Sequence, residues 1–231
     1  MQPELQPRNV FTGAGELSLQ KNRVLRNTYL LLALTMVPTV VGAVVGMATG
    51  GILMQNPIIS TLVMLAVVIG LQFAISKHRN SGLGIALLLA MTFILGWWLG
   101  PLLTVALSLR NGPQLVGFAA AGTGLIFVVM AGIAVTTRRD FSFMGKFLFV
   151  GMIVLLVGML ANMFLQIPAL ALTISALVIV VFSLFLLHDV SRIVNGGETN
   201  YVMATTGVYM SLFNIFANLL SLLMAFTGHR D

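Results

Sequence analysis

The residues of this chain that could do chemistry are concentrated in one segment near its C-terminus, residues 188–201. In this segment a long apolar run passes directly into ionisable and hydrogen-bonding side chains, among them Asp189, Arg192 and Glu198. A charge at the edge of a hydrocarbon phase is costly, so this cluster indicates a functional site. Asp189 and Arg192 are three residues apart, a spacing that places them on one helical face, where they can form an ion pair.

The second half of this segment predicts the end of one helix and the start of another. Asn195, Gly196 and Gly197 form a stop signal, because glycine adopts backbone conformations that other residues avoid. Thr199 or Asn200 is then the expected N-cap of the next helix. Two interpretations of the whole segment stay open. It is either a well-capped loop with a surface ion pair, or a titratable latch in which protonation of a carboxylate releases a helix contact.

A further set of polar side chains lies on the last apolar run of the chain. Ser211, Asn214, Asn218 and Ser221 are spaced by three, four and three residues, so they share one helical face. A polar stripe on a membrane helix has to face protein or water, and this helix is therefore expected to be central in the bundle. The stripe either joins helices by hydrogen bonds or lines a hydrated path, and the two roles are compatible.

The composition identifies the elements that must position these residues. Hydrophobic residues make up 58% of the 231 residues and charged residues only 8%, whereas about 25% of the residues of a soluble globular protein are charged. The alternating pattern of a membrane β-barrel is absent. We therefore predict an all-α integral membrane protein with seven transmembrane helices. The seven apolar runs cover approximately residues 29–47, 57–76, 82–98 (or as far as 107), 114–136, 144–165, 169–188 and 202–226.

The basic residues predict the orientation of these helices. With the N-terminus in the cytoplasm, only Arg110 and Arg230 of the 12 Lys and Arg residues lie outside. The net charge of +6 then marks a membrane face with anionic lipids and does not indicate nucleic-acid binding.

Residues 1–27 are predicted to be a flexible cytoplasmic tail, which serves either as a topology anchor or as a handle for another protein. Residues 28–227 form the transmembrane domain, and residues 228–231 are a short C-terminus outside.

Small residues recur at four-residue spacing in three of the predicted helices. In lipid, such positions let helix backbones approach closely, so we expect helix packing there, with a dimer face as the alternative. The residues are Gly42, Gly46 and Gly50 in the first helix, Gly96 and Gly100 in the third, and Gly117 with Ala121 in the fourth.

The sequence contains no recognisable catalytic or metal-binding motif. A P-loop, a His-Glu-x-x-His helix and a Gly-x-Ser-x-Gly elbow are all absent, and the chain has no cysteine for thiol chemistry. His188 and Ser211 could imitate a serine-histidine dyad, but nothing in the sequence supplies an oxyanion site. We therefore expect that the protein is not an enzyme and has neither a cofactor nor a metal site.

At residues 189–201, continued by residues 204–205 and 208–216, the sequence resembles the signature of the Bax inhibitor-1 family of transmembrane proteins. Residues 26–29 and 136–143 extend the resemblance to essentially the whole chain, and within the family the chain is similar to the bacterial YccA-like branch. The resemblance implies a protein of the bacterial inner membrane, with its seventh helix at the centre of the other six.

The resemblance also implies two possible functions. One is a pH-sensitive calcium leak held closed by carboxylates on the sixth and seventh helices. The other is modulation of the membrane-bound ATP-dependent protease FtsH, as its interactor and slow substrate.

The residues at the matching positions separate these two functions. The sixth-helix carboxylate corresponds to Asp189, but the seventh-helix carboxylate corresponds to Ser211, which cannot ionise. Two adjacent carboxylates would couple their titrations, whereas a solitary Asp189 with Arg192 beside it cannot do so. Calcium also prefers about six to eight oxygen ligands. We therefore expect an FtsH modulator whose partners are FtsH and membrane lipids. The alternative is a leak of calcium or protons gated near Asp189, with Ser211 and Asn214 as further gate residues.

Overall fold

The computed structural model describes the backbone of residues 10–137 and 139–227 and the side chains of residues 22–137 and 139–227. Within these ranges the chain is helical and contains no strand. Seven helices are long and apolar enough to cross a membrane, which confirms the predicted all-α membrane fold and the number of spans. The helices are α1 (Val10–Thr49), α2 (Gly51–Gln55), α3 (Pro57–His78), α4 (Gly82–Ser108), α5 (Gly112–Thr137), α6 (Met144–Leu165), α7 (Pro168–Asn195) and α8 (Tyr201–Thr227).

Proline positions explain several of the helix boundaries. Pro57 and Pro168 stand in the first turns of α3 and α7, where the missing N–H group leaves no hydrogen bond unmade. Pro101 lies inside α4, which continues to Ser108, so the third run reaches the longer of its two predicted ends. The first helix begins at Val10, inside the segment predicted to be a tail. The flexibility of that tail and the orientation of both termini stay predictions, and residues 1–9 and 228–231 lie outside the described residues.

Helices α1 and α4 pack backbone against backbone at their glycines. A Cβ atom at Gly46 would overlap the carbonyl oxygen of Trp97, and one at Gly96 would overlap that of Thr39. This confirms the prediction that small residues in the first and third runs allow close packing. In the fourth run the prediction is wrong, because a Cβ atom at Gly117 would have no atom within 4 Å. That face of α5 points away from the bundle.

Helix α8 makes its main contacts with five of the other six membrane helices. Its neighbours are α1, α3, α4, α5 and α7, whereas α6 packs mainly against α7. Among the described residues of α8, Phe226 alone is exposed. The buried Tyr209 hydroxyl joins α8 to α1 through a 2.8 Å hydrogen bond with the Thr39 hydroxyl. That α8 is surrounded by all six other helices is not confirmed by these contacts and stays a prediction.

The glycine packing provides a test with a matched control. We expect Gly46→Ala to lower the free energy of unfolding by about 1–3 kcal/mol, because the added methyl group forces α1 away from α4. Gly117→Ala adds the same methyl group and the same gain in helix propensity, and should leave stability unchanged or slightly raised. Thermal unfolding in detergent measures both variants. Equal unfolding midpoints for the two would contradict the close packing of α1 and α4.

Candidate functional site

Helix α7 ends in a left-handed glycine turn, as the sequence predicts. Gly196 has φ 80°, and its N–H group donates to the Ile193 carbonyl at 3.2 Å. The Gly197 N–H group donates to the Arg192 carbonyl at 2.8 Å. These two bonds form the Schellman motif, which satisfies the last carbonyl groups of a helix and reverses the chain. The turn brings residues 198–200 back against the end of α7.

Asn200 is the N-cap of α8, which settles the choice between Thr199 and Asn200. Its Oδ1 atom accepts hydrogen bonds from the backbone N–H groups of Val202 at 3.0 Å and Met203 at 3.1 Å. Its Nδ2 group donates to Asn80 Oδ1 at 2.8 Å and to the Arg79 carbonyl at 3.0 Å. The same side chain therefore caps α8 and attaches the loop between α3 and α4.

Two side chains near the end of α7 hold the loop between α5 and α6. The Ser191 hydroxyl donates to the Arg139 carbonyl at 2.9 Å and accepts from the Phe141 N–H group at 3.2 Å. Asn195 Nδ2 also donates to the Arg139 carbonyl, at 3.0 Å. Ser191 was not predicted as a functional residue, and Asn195 was predicted only as part of the turn. We refer to the end of the bundle formed by residues 79–81, 139–143 and 196–200 as the loop end.

The ion pairs at the loop end differ from the predicted pair of Asp189 with Arg192. The structure pairs Asp189 Oδ1 with His188 Nδ1 at 3.0 Å, and Arg192 Nη2 with Glu198 Oε2 at 3.4 Å. In the described part of the chain, the contact of Arg192 with Glu198 is the one pair between a Lys or Arg side chain and a carboxylate. The physical reason is the chain reversal at Gly196, which places a second carboxylate within reach of the guanidinium group. The predicted pairing is therefore wrong.

A cavity of about 290 Å³ lies between α7 and α8 at the loop end. Asp189, Arg192, Glu198 and Ser211 all line it, so Asp189 is not the solitary carboxylate that the sequence suggests. The complete lining consists of Gln72, Met152, Phe182, Phe185, Asp189, Arg192, Glu198, Met203, Ala204, Thr206, Gly207, Met210 and Ser211.

Gly207 lets the Asp189 carboxylate lie against α8. A Cβ atom at Gly207 would be 2.7 Å from Asp189 Oδ2, closer than side chains tolerate. Ser211 lies four residues further along α8 and therefore on the same face. Sequence reasoning missed Gly207, although a glycine inside a helix, one turn before a polar stripe, was the available signal.

The four residues of the polar stripe of α8 do not all line the cavity. Ser211 lines the cavity, but Asn214, Asn218 and Ser221 are not among its lining residues. Asn214 Nδ2 donates to the Met210 carbonyl at 2.8 Å, and Asn218 Nδ2 donates to the Asn214 carbonyl at 2.9 Å. Both amide groups thus donate to carbonyl groups of their own helix. A polar path along these three residues stays a prediction.

The loop end does not gather the ligands of a metal ion. Over the described residues, no three His, Asp or Glu side chains come together as a group that could hold one. This arrangement of side chains can bind a small molecule. It combines a carboxylate, a neutralised guanidinium-carboxylate pair and a buried hydroxyl with a largely apolar wall, the composition typical of a small-molecule site.

Fold and site together define the class: an all-α membrane protein with seven candidate spans, whose ionisable side chains meet at the end of α7. A family model described as "Inhibitor of apoptosis-promoting Bax1" matches residues 21–228. The chain belongs to the Bax inhibitor-1 family.

Its relatives include bacterial inner-membrane proteins. The "Modulator of FtsH protease YccA" of Escherichia coli strain K12 is 42% identical over 205 residues, which cover 89% of this chain and 91% of that protein. An "Uncharacterized membrane protein" of Vibrio cholerae is 39% identical over 212 residues, covering 92% of this chain and 93% of the relative. An "Inner membrane protein YccA" from a second Escherichia coli strain is 42% identical over the same 89% of this chain.

The cap of α8 is testable by substitution. We expect Asn200→Ala to lower the free energy of unfolding by about 1–2 kcal/mol, because α8 loses its cap and the Arg79 loop loses its attachment. Amide hydrogen exchange at Val202 and Met203 should accelerate. Thr199→Ala removes an exposed neighbour and should change stability by no more than about 0.5 kcal/mol. If both variants behaved alike, the assignment of Asn200 as the cap would be wrong.

Proposed function

We propose that this protein modulates an FtsH-type ATP-dependent protease in the bacterial inner membrane. The observation that carries the proposal is the 42% identity, over 89% of the chain, to the Escherichia coli protein named as a modulator of FtsH. A modulator acts by binding, and the described residues offer a binding surface that is already ordered. Asn195, Asn200 and Ser191 hold three loops in one arrangement, so little conformational entropy is lost when a partner docks.

The packing of α1 supports a role as a slow substrate. An ATP-dependent protease has to unfold a protein before cleaving it, so the rate of degradation depends on how firmly the first elements are held. Helix α1 is held to α4 by backbone contact at Gly46 and Gly96, and to α8 by the bond between Thr39 and Tyr209. If residues 1–21 are the segment that the protease grips, these contacts oppose extraction of the next residues in the chain.

Co-purification and degradation test the proposal together. We expect FtsH to co-purify with the full chain from bacterial membranes, and the half-life of the chain to lengthen in cells without FtsH. Gly46→Ala should shorten the half-life only where FtsH is present, because weaker packing of α1 eases unfolding, whereas Gly117→Ala should behave as wild type. The proposal fails if FtsH does not co-purify and its removal leaves the half-life of the wild-type chain unchanged.

A second candidate function is an ion leak controlled at Asp189. The observation that favours it is the cavity at the loop end, which is lined by Asp189 of α7, by Ser211 of α8 and by a second carboxylate, Glu198. A carboxylate in a cavity partly open to solvent can change its charge with pH, and so alter an ion path.

Reconstitution into liposomes tests the leak. If it exists, wild-type protein should pass calcium ions or protons in a pH-dependent manner, and Asp189→Asn should remove that dependence because the side chain can no longer ionise. Asp140→Asn is the matched control, since Asp140 is a loop carboxylate outside the cavity. Absence of flux through the wild-type protein, or an identical flux through Asp189→Asn, excludes this function.

A further inference from the structure

The cavity at the loop end contains one carboxylate oxygen that faces α8. Asp189 Oδ1 is bound to His188 Nδ1, whereas Oδ2 is the atom nearest to a Cβ position at Gly207. The other charged groups of the cavity, Arg192 and Glu198, form an ion pair with each other. The cavity therefore contains one carboxylate, that of Asp189, that no Lys or Arg side chain pairs with. It suits a ligand with a single positive charge.

Ser211 provides a second polar group for a ligand in this cavity. Its side chain faces the cavity and is 2% exposed, yet its hydroxyl makes no hydrogen bond to the described residues. Nearby hydroxyls behave differently, since Thr205 and Thr206 on the same helix donate to the carbonyls of Tyr201 and Val202. The described residues contain no fully enclosed side-chain oxygen or nitrogen without a partner, so the Ser211 hydroxyl is accessible from the cavity. It can therefore donate or accept a hydrogen bond with a ligand there.

The wall of the cavity distinguishes between kinds of cation. It is formed largely by the side chains of two phenylalanines and three methionines. A calcium ion would need about six to eight oxygen ligands, which this wall does not provide. Aromatic faces and polarizable thioethers are favourable for an organic cation. The residues are Phe182, Phe185, Met152, Met203 and Met210, and the rings of Phe182 and Phe185 are 5.6 Å apart between centroids.

We propose that this cavity binds an organic ammonium ion that carries a small apolar group. The ammonium group donates hydrogen bonds to Asp189 Oδ2 and the Ser211 hydroxyl, and the apolar group packs against Phe182 and Phe185. The cavity volume of about 290 Å³ lies at the lower end of small-molecule sites, roughly 300–1,000 Å³, and fits a ligand with one ring or a short chain. This site does not depend on the interaction with FtsH. The same chemistry is present in a free amine and in the headgroup of an aminophospholipid.

Benzylammonium is a suitable probe for calorimetric titration of the full chain in a nonionic maltoside detergent. We expect saturable binding of one benzylammonium per chain and none of benzyl alcohol, which has the same ring without the charge. Asp189→Asn should weaken binding at least tenfold, because the neutral amide loses the charge attraction but keeps the size of the side chain. Ser211→Ala should weaken it severalfold. Ser183→Ala removes a buried serine of α7 that does not line the cavity, and should bind as wild type.

Gly207→Ala tests the geometry without changing any polar group of the site. The added methyl group displaces Asp189 Oδ2, so we expect weaker binding of benzylammonium with the carboxylate still present. The proposal is overturned if wild-type protein does not bind benzylammonium saturably, if benzyl alcohol binds equally well, or if both Asp189→Asn and Ser211→Ala bind as wild type.

Lipid nanodiscs distinguish the two sources of the amine. Competition between benzylammonium and phosphatidylethanolamine, seen as weaker binding than in discs of phosphatidylglycerol alone, assigns the site to a lipid headgroup. Equal binding in the two kinds of disc assigns it to a free amine. In both kinds of disc, binding of benzylammonium to the Asp189→Asn variant measures its nonspecific attraction to the charged lipids.

Discussion

A bilayer offers no hydrogen-bonding partner, and this constraint organises the whole structure. The hydroxyls of Thr35, Thr123 and Ser183 donate to carbonyl groups three or four residues earlier on their own helices. Where a polar side chain reaches another helix, as Tyr209 does at Thr39, the bond also fixes the packing of two elements. Over the described residues, Asp, Glu, Lys and Arg side chains lie in loops or near the ends of the candidate spans, where water or a counter-charge is within reach. The Ser211 hydroxyl instead lines the cavity between α7 and α8.

The turn between α7 and α8 does more than connect two helices. Because the Schellman motif at Gly196 satisfies the end of α7 with backbone groups, the side chains around it can bind other loops. Asn195 and Ser191 hold the loop at Arg139, and Asn200 holds the loop at Arg79. One turn thus orders three loops into a continuous surface. Helix α6, which packs mainly against α7, depends on this arrangement for its position at the loop end.

Ser211 lines the cavity, and it is the residue that the family resemblance predicts at the position of a seventh-helix carboxylate. A second carboxylate at that position would lie on the same face of α8 as Gly207, close to Asp189, and would force the two groups to share a proton. With serine there, Asp189 keeps its hydrogen bond with His188 and has a neutral neighbour on α8. Glu198 enters the cavity from the turn, already neutralised by Arg192. The lining residues therefore include no pair of acids on α7 and α8, and the carboxylate of Asp189, which no Lys or Arg side chain pairs with, is the basis of the proposed cation site.

Much of this architecture could be predicted from local sequence because its causes are local. A membrane span needs about 20 apolar residues, a stop needs a residue such as Gly196, and a cap needs a side chain such as Asn200, so spans and turn follow from the residues themselves. The contacts that each side chain or helix face makes are harder to predict, because they depend on which helices and loops meet in the folded protein. The four-residue spacing of Gly117 and Ala121 shows that one face of α5 is small, but not that this face points outward. The spacing of Asp189 and Arg192 allows a pair, yet the chain reversal offers Arg192 a better partner in Glu198. The contact of Gly207 with Asp189 joins two helices, and no pattern within either helix specifies the distance between them.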